Sequence, residues 1–302
     1  ESNLIFTKWK PRASAIGNLM GGFKSITPNQ LDELEKLEQR VRDSLDNPKL
    51  ALTENMKTKL AELKAKRDAP IELSSGAKSY LDTVFREVFW RRKRFLSNKY
   101  LEKGLLFEQN ALALASKVDG YFYIKNDEYF ENDFICGSPD NITDIVRDTK
   151  CSYDLETFDN AELTTLYKYQ LKAYCWLTGR KKGQLIYALV NSPLHQLLNE
   201  KTRLYYQHGN PSDDNEDWQK VLCQMERNFI FDINEFKSEY PHYEFFNTTL
   251  DFTIPEQFRI KKFDVELLED DIDDMKLATM LSREYLCNKE IEVYKKIKLN
   301  QK

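Results

Sequence analysis

Gly137-Ser138-Pro139-Asp140, followed by Asp148-Thr149-Lys150, is the stretch from which the rest of the chain can be read. The short β-prone runs Phe134-Ile135-Cys136 and Ile145-Val146-Arg147 flank a turn-forming segment with Pro and Asn, which predicts a hairpin. Side chains two apart on a strand share a face, so Asp148 and Lys150 project together. Asp140 enters from the turn end of the partner strand. Such a trio can hold a divalent cation through Asp140, Asp148 and the Thr149 carbonyl, while Lys150 positions a water or helps to deprotonate it. A surface hairpin carrying an Asp/Lys pair would read the same way, so more residues are needed to decide.

Two helices supply them. Along Leu105–Ala115 the apolar stripe Leu105, Ala111, Leu112 and Ala115 carries Glu108 on the same face by three- and four-residue spacings. A carboxylate facing a core is costly unless it is paired, protonated or bound to metal. Downstream, Leu163, Tyr167, Gln170, Tyr174 and Leu177 form one helix face, which turns Gln170 and the two phenols inward. For either residue alone a plainer account is equally good: Glu108 caps a neighbouring strand, and Gln170 satisfies core backbone.

In chain order these residues run Glu, Asp, Asp-Thr-Lys, Gln-x-x-x-Tyr. That order resembles the PD-(D/E)XK nuclease superfamily, in particular the phage lambda-type exonucleases that serve viral recombination. The resemblance is carried by Pro139-Asp140, Asp148-Thr149-Lys150, Glu108 in Gly104-Leu105-Leu106-Phe107-Glu108, and Gln170-Leu171-Lys172-Ala173-Tyr174. Arg12-Ala13-Ser14-Ala15-Ile16-Gly17 is similar to the segment that supplies a serine to a terminal 5′-phosphate pocket, and Ser138 is similar to a second such serine. The second carboxylate is Asp148 where the family more often has Glu. The resemblance implies an α/β, restriction-endonuclease-like fold, a mixed central sheet flanked by helices, and Mg²⁺ or Mn²⁺ as cofactor. It implies catalytic roles for Glu108, Asp140, Asp148, Lys150 and Gln170, and metal contacts from Glu108, Asp140, Asp148 and Thr149. Ser14, Ser138 and Tyr174 would meet substrate phosphate, Tyr174 also serving as a partner of the catalytic side chains. The implied partner is DNA, with a single-strand annealing protein and a homo-oligomer as further associations.

The chain has 302 residues, enough for one large α/β domain with insertions or two small ones. Its formal net charge of -4 argues against a general basic coat, so phosphate contact has to come from local patches. The best is Arg91-Arg92-Lys93-Arg94, with Arg86 and Lys99 nearby and Phe89, Trp90 and Phe95 interleaved. It reads equally as the solvated face of a helix or as a DNA-backbone contact. Five scattered cysteines without C-x-x-C spacing predict reduced thiols and speak against a four-cysteine iron–sulfur cluster. Three isolated histidines show no zinc spacing. No apolar run approaches the roughly 20 residues that span a bilayer, and no signal-peptide pattern is seen, so the expectation is a cytoplasmic protein with no membrane partner, in the host cytoplasm if viral.

Thr27-Pro28-Asn29-Gln30 predicts an N-cap, a helical Pro and a capping-box Gln. The helix after it carries Leu31, Leu34, Leu37, Val41 and Leu45. A second, with Leu52, Met56, Leu60 and Leu63, ends before Pro70, giving a helical hairpin over 28–70 inserted into a single domain of 1–302. Further helices are expected near 75–97, 100–117, 161–178, 215–229 and 270–298, and strands over 184–190 and 258–263, with 205–302 as an extension packing on the core. Three functions fit: a metal-dependent exonuclease, an endonuclease with the same site chemistry, and a noncatalytic DNA-binding or assembly protein.

Overall fold

The computed structural model describes residues 4–21, 26, 28–47, 49, 51–94, 98–209, 212, 214–231, 233–239, 241, 242 and 254–299. After a 3-10 turn at Ile5–Lys8 come α1 (Ala13–Met20), α2 (Pro28–Asp46), α3 (Glu54–Asp68), α4 (Ser75–Val88) and α5 (Lys99–Asp119). Strands β1 (Phe130–Glu131), β2 (Cys136–Gly137), β3 (Asn141–Ile142) and β4 (Val146–Cys151) follow, then α6 (Leu155–Asp159), α7 (Thr165–Thr178) and β5 (Lys182–Ala188). The remainder is α8 (Leu194–His208), α9 (Glu216–Arg227), α10 (Ile233–Glu239), β6 (Ile260–Glu266) and α11 (Glu269–Leu299).

The central sheet is mixed, with strand order β3-β4-β5-β6. Strands β4 and β5 are parallel, placing Asp148 opposite Leu185 and Lys150 opposite Tyr187, and the outer pairs are antiparallel. A parallel pair needs a long crossover, and α6 with α7 provides it. Helices cover both faces, as the element order predicts. On one face Ala111 and Leu114 of α5 pack on Ala188 and Val190, and Leu112 and Ala115 pack on Ile186. On the other, Leu171 of α7 meets Leu185 and Val265. Behind α7 the largest core joins Ile16 and Leu19, Leu81 and Phe85, Ala173 and Cys175, and Met275 and Ala278. Burying each of the Ile, Leu, Phe and Met side chains among them stabilises the fold by about 1.5–3 kcal/mol. Helix α1 sits unusually close to α7: a Cβ at Gly17 would meet the Leu166 backbone, its carbonyl oxygen at 2.8 Å. Only glycine allows that approach.

Several expectations are corrected. The run at 134–136 does not pair with 145–147. Instead β2 pairs with β1 and β3 pairs with β4. Pro139 has no N–H to give a ladder, which separates β2 from β3 and leaves Asp140 at the break. Helix α4 ends at Val88, so Arg91–Arg94 are not on a helix. Leu105 is 80% exposed although Ala111, Leu112 and Ala115 are buried, because the first turns of α5 run past the sheet. The helical hairpin forms, α2 packing on α3 through Leu34, Leu37 and Leu63 in a core of their own. Leu31, Val41 and Leu45 of its stripe stay exposed. Residues after 205 do more than pack on the core, since β6 is an edge strand of the sheet itself. Thr27, Phe95 and Pro48 lie outside the described residues. Among those described, no helix is long and apolar enough to cross a membrane.

Candidate active site

The alternation of β4 sends Asp148 and Lys150 toward α7, and Thr149 and Cys151 toward α5. Asp148 is 2% exposed. Its Oδ1 accepts a hydrogen bond from Gln170 Nε2 at 3.0 Å, and Gln170 also donates to the Tyr174 hydroxyl at 3.3 Å. The four-residue step from Gln170 to Tyr174 on α7 makes that second contact. Asp148 Oδ2 forms an ion pair with the Lys150 ammonium at 2.7 Å. Lys150 also stands over the Tyr167 ring at 5.2 Å.

Asp140 closes the other side. Its Oδ2 accepts from the Thr149 amide at 2.6 Å and from the Thr149 hydroxyl at 2.7 Å, which ties the turn to β4. N–H and C=O of one strand residue point to the same side, so the Thr149 carbonyl faces the Asp140 side rather than the β5 ladder. Burial, then the neighbouring Asp148 charge, push the Asp140 carboxyl up to about 7; the Thr149 hydrogen bonds oppose this, and Glu108 adds to it. At Lys150 burial pulls the ammonium down, but the Asp148 and Asp140 carboxylates outweigh it and the net shift is upward. An ammonium held there can orient a water or stabilise negative charge.

Glu108, Asp140, Thr149, Lys150 and Cys151 line one cleft of about 400 Å³, walled by Tyr100, Tyr167 and Tyr187. Glu108 is not turned into the core; it is half-buried at this cleft and pairs with Lys125 at 3.2 Å. Carboxylate and carbonyl oxygens from Asp140, Asp148 and Thr149 are the donors a hard divalent cation takes. Among the described residues no three His, Cys, Asp or Glu side chains form a ready cage. A small hard cation that keeps water and substrate oxygens needs only one or two protein carboxylates, so the donor set fits.

The phosphate-contact expectations divide. Tyr174 is 5% exposed, and its hydroxyl accepts the hydrogen bond from Gln170, so it helps to hold Gln170 in place. Ser14 is exposed in the first turn of α1. Ser138 donates to the Glu128 carbonyl at 2.7 Å and accepts from Asn126 Nδ2 at 3.3 Å. Gly137 brings the two serine segments together, since a Cβ there would meet Ala13 Cβ at 3.0 Å and Tyr174 Cε1 at 2.9 Å.

Sequence reasoning missed two residues that hold this site. Asn126 donates to the Pro139 carbonyl at 3.0 Å, and its amide donates to the Asp140 carbonyl at 2.7 Å, which fixes the turn. Lys103, fully buried on α5, donates to the carbonyls of Tyr153 at 2.8 Å and Val190 at 3.2 Å and to Ser192 Oγ at 2.8 Å. It thereby clamps α5 to the ends of β4 and β5. Burial lowers its ammonium to about 8. A lysine between two exposed leucines gives no sign of burial, and only the tertiary contacts identify it.

The chain shares the fold of a phage-related exonuclease. That protein, from Haemophilus somnus 129PT, superposes with a TM-score of 0.56 at 19% identity, over 95% of this chain and 97% of the other. An alkaline exonuclease from Laribacter hongkongensis, LHK-Exo, aligns at a TM-score of 0.46 and 12% identity over 76% of this chain and 88% of its own. Its complex with dAMP aligns at 0.44. Likenesses of that size carry no weight for this chain. No family model and no curated protein sequence matches. The mixed sheet between helices is thus the restriction-endonuclease-like architecture that the motif order implies.

Proposed function

We propose that the chain is a divalent-metal-dependent deoxyribonuclease that degrades linear DNA from its ends. One observation carries the reading: Asp148 is held by Gln170 on one oxygen and by Lys150 near the other, beside an Asp140 tied to Thr149. A surface Asp/Lys pair would be solvated and free of such a buried support. Asp140, Asp148 and the Thr149 carbonyl would hold Mg²⁺ or Mn²⁺, with Glu108 facing the same cleft. Bound there, the ion would supply Lewis-acid charge and lower the pKa of a water. Lys150 would orient the attacking water or help to deprotonate it. Gln170 keeps Asp148 from rotating, and Tyr174 keeps Gln170 in place. Ser14 and Ser138, on adjoining segments, suit the grip on a terminal phosphate that positions the first scissile bond.

The test offers 5′-phosphorylated linear duplex, 5′-hydroxyl linear duplex and covalently closed circles to the pure protein, in Mg²⁺ and in EDTA. Linear duplex should be degraded only in Mg²⁺, faster with a 5′-phosphate, and circles should survive. Asp148→Ala should abolish cleavage. Nicking of closed circles would make the protein an endonuclease on the same fold, and no metal-dependent cleavage of any substrate would leave a noncatalytic DNA-binding role.

A further inference from the structure

The basic run Arg91-Arg92-Lys93-Arg94 has no part in the chemistry above, yet it is the densest positive segment in a chain of net charge -4. All four side chains are exposed. Among the described residues none of them forms an ion pair, whereas the nearby cations Lys99 and Lys289 pair with Glu200 and Asp82. The run is not a helix face, because α4 has ended at Val88 and Arg91 stands at φ 53, a left-handed conformation that residues other than glycine rarely hold. The Arg92 amide turns back to the Arg86 carbonyl at 3.2 Å. The base of the run is anchored: Phe89 stacks on Phe85 at 4.8 Å and meets Trp90 and Tyr294 edge-on at 4.8 and 5.7 Å. A helix C-terminus carries about half a negative charge, which could account for one cation and not for four.

Its position relates it to the cleft. Four peptide steps separate Arg94 from Asn98, the N-cap of α5, a reach of about 14 Å at most. Tyr100 and Leu101, in the first turn of α5, line the same cleft as Asp140 and Lys150. A duplex whose end lies in that cleft presents backbone phosphates at this range, about one charge per 1.7 Å of helix axis. We propose that Arg91–Arg94 grips the phosphate backbone of duplex DNA outside the active-site cleft, as a sequence-independent anchor that holds substrate between cleavage steps. This rests on the nuclease reading above. An acidic polypeptide would meet the same charges, but the closeness of the run to the cleft favours nucleic acid.

The test measures binding of a 30-base-pair duplex by fluorescence anisotropy in EDTA, where nothing is cut, over about 50 to 200 mM salt. The protein and R91Q/R92Q/K93Q/R94Q are compared, with R91K/R92K/R94K as a charge-preserving control and thermal melting as the check on folding. The glutamine variant should bind at least about tenfold more weakly at 100 mM salt, and its slope of log K against log salt should be shallower by up to about 3.6, since each phosphate contact contributes about 0.9. The lysine variant should keep the slope. An unchanged affinity or slope in a folded glutamine variant overturns the proposal. So does a variant that keeps duplex affinity but loses binding to polyglutamate, which would assign the run to a protein partner. A wild-type chain that binds duplex through this run but never cuts in Mg²⁺ would sink the nuclease reading alone.

Discussion

Gln170 offers the sharpest test of the site, because it can be changed in two ways that keep its volume and differ in chemistry. Gln170→Met removes the donor that sits 3.0 Å from Asp148 Oδ1 and leaves that oxygen buried without a partner. A hydrogen bond to a charged group contributes about 1.5–3 kcal/mol, so stability should fall by that amount and cleavage by about 10- to 150-fold at every pH. Gln170→Glu sets a second carboxyl at the same distance. Two unit charges 3.0 Å apart repel by about 5.5 kcal/mol at an effective dielectric of 20. Keeping a glutamate protonated at pH 7 costs only about 3.7 kcal/mol, so this variant should retain one shared proton and donate an O–H to Asp148 as Gln170 donates its N–H. The glutamate variant should therefore cut linear duplex at pH 7 within a few-fold of wild type and lose activity relative to wild type as rising pH removes the shared proton. The assay is initial rate on linear duplex from pH 6.5 to 9.5 in Mg²⁺, each variant divided by wild type at the same pH. A methionine variant within twofold of wild type, or a glutamate variant with a flat ratio, would falsify the positioning role.

Lys150→Ala should cut turnover by on the order of a hundredfold or more while duplex binding in EDTA persists, and Lys150→Arg should not restore it, because a planar guanidinium cannot take the place of a compact ammonium 2.7 Å from Asp148. Equal loss of binding and turnover would mark Lys150 as a phosphate contact instead. Gly17→Ala forces a Cβ against the Leu166 backbone and should destabilise the fold by about 3 kcal/mol in denaturant melts, outweighing the roughly 1 kcal/mol that alanine gains in a helix; a loss below 0.5 kcal/mol would mean that α1 and α7 are not so closely packed. Lys103, lowered by burial from 10.5 to about 8, binds fewer protons in the folded than in the unfolded chain between those values. Stability should thus rise with pH through that window by up to about 3 kcal/mol, the burden of the buried charge being complete below pH 8. The difference in melting between wild type and Lys103→Met should show this rise, and a difference independent of pH from 7 to 10.5 would contradict it.

What the sequence determined by itself was local. Stereochemistry sets side chains two apart on one face of a strand and three or four apart on one face of a helix. That alone put Asp148 beside Lys150 and Gln170 beside Tyr174, and it made the order of helices and strands legible as a mixed sheet between helices. The motif order then pointed to the fold that the structure has. Tertiary structure decided which faces met. The Gln170–Asp148 hydrogen bond spans 22 residues and the Lys103–Ser192 bond spans 89, and no periodicity specifies a partner at such separations. Helical spacing could not show that α5 overruns the sheet and exposes Leu105, or that β2 turns from β4 to β1 at Pro139. The direction in which the Lys150 ammonium is shifted was likewise invisible, because it depends on two carboxylates outweighing burial within one cleft. Local geometry follows from the bonds of the chain itself, whereas pairing and desolvation are fixed only when distant segments compete for the same buried space.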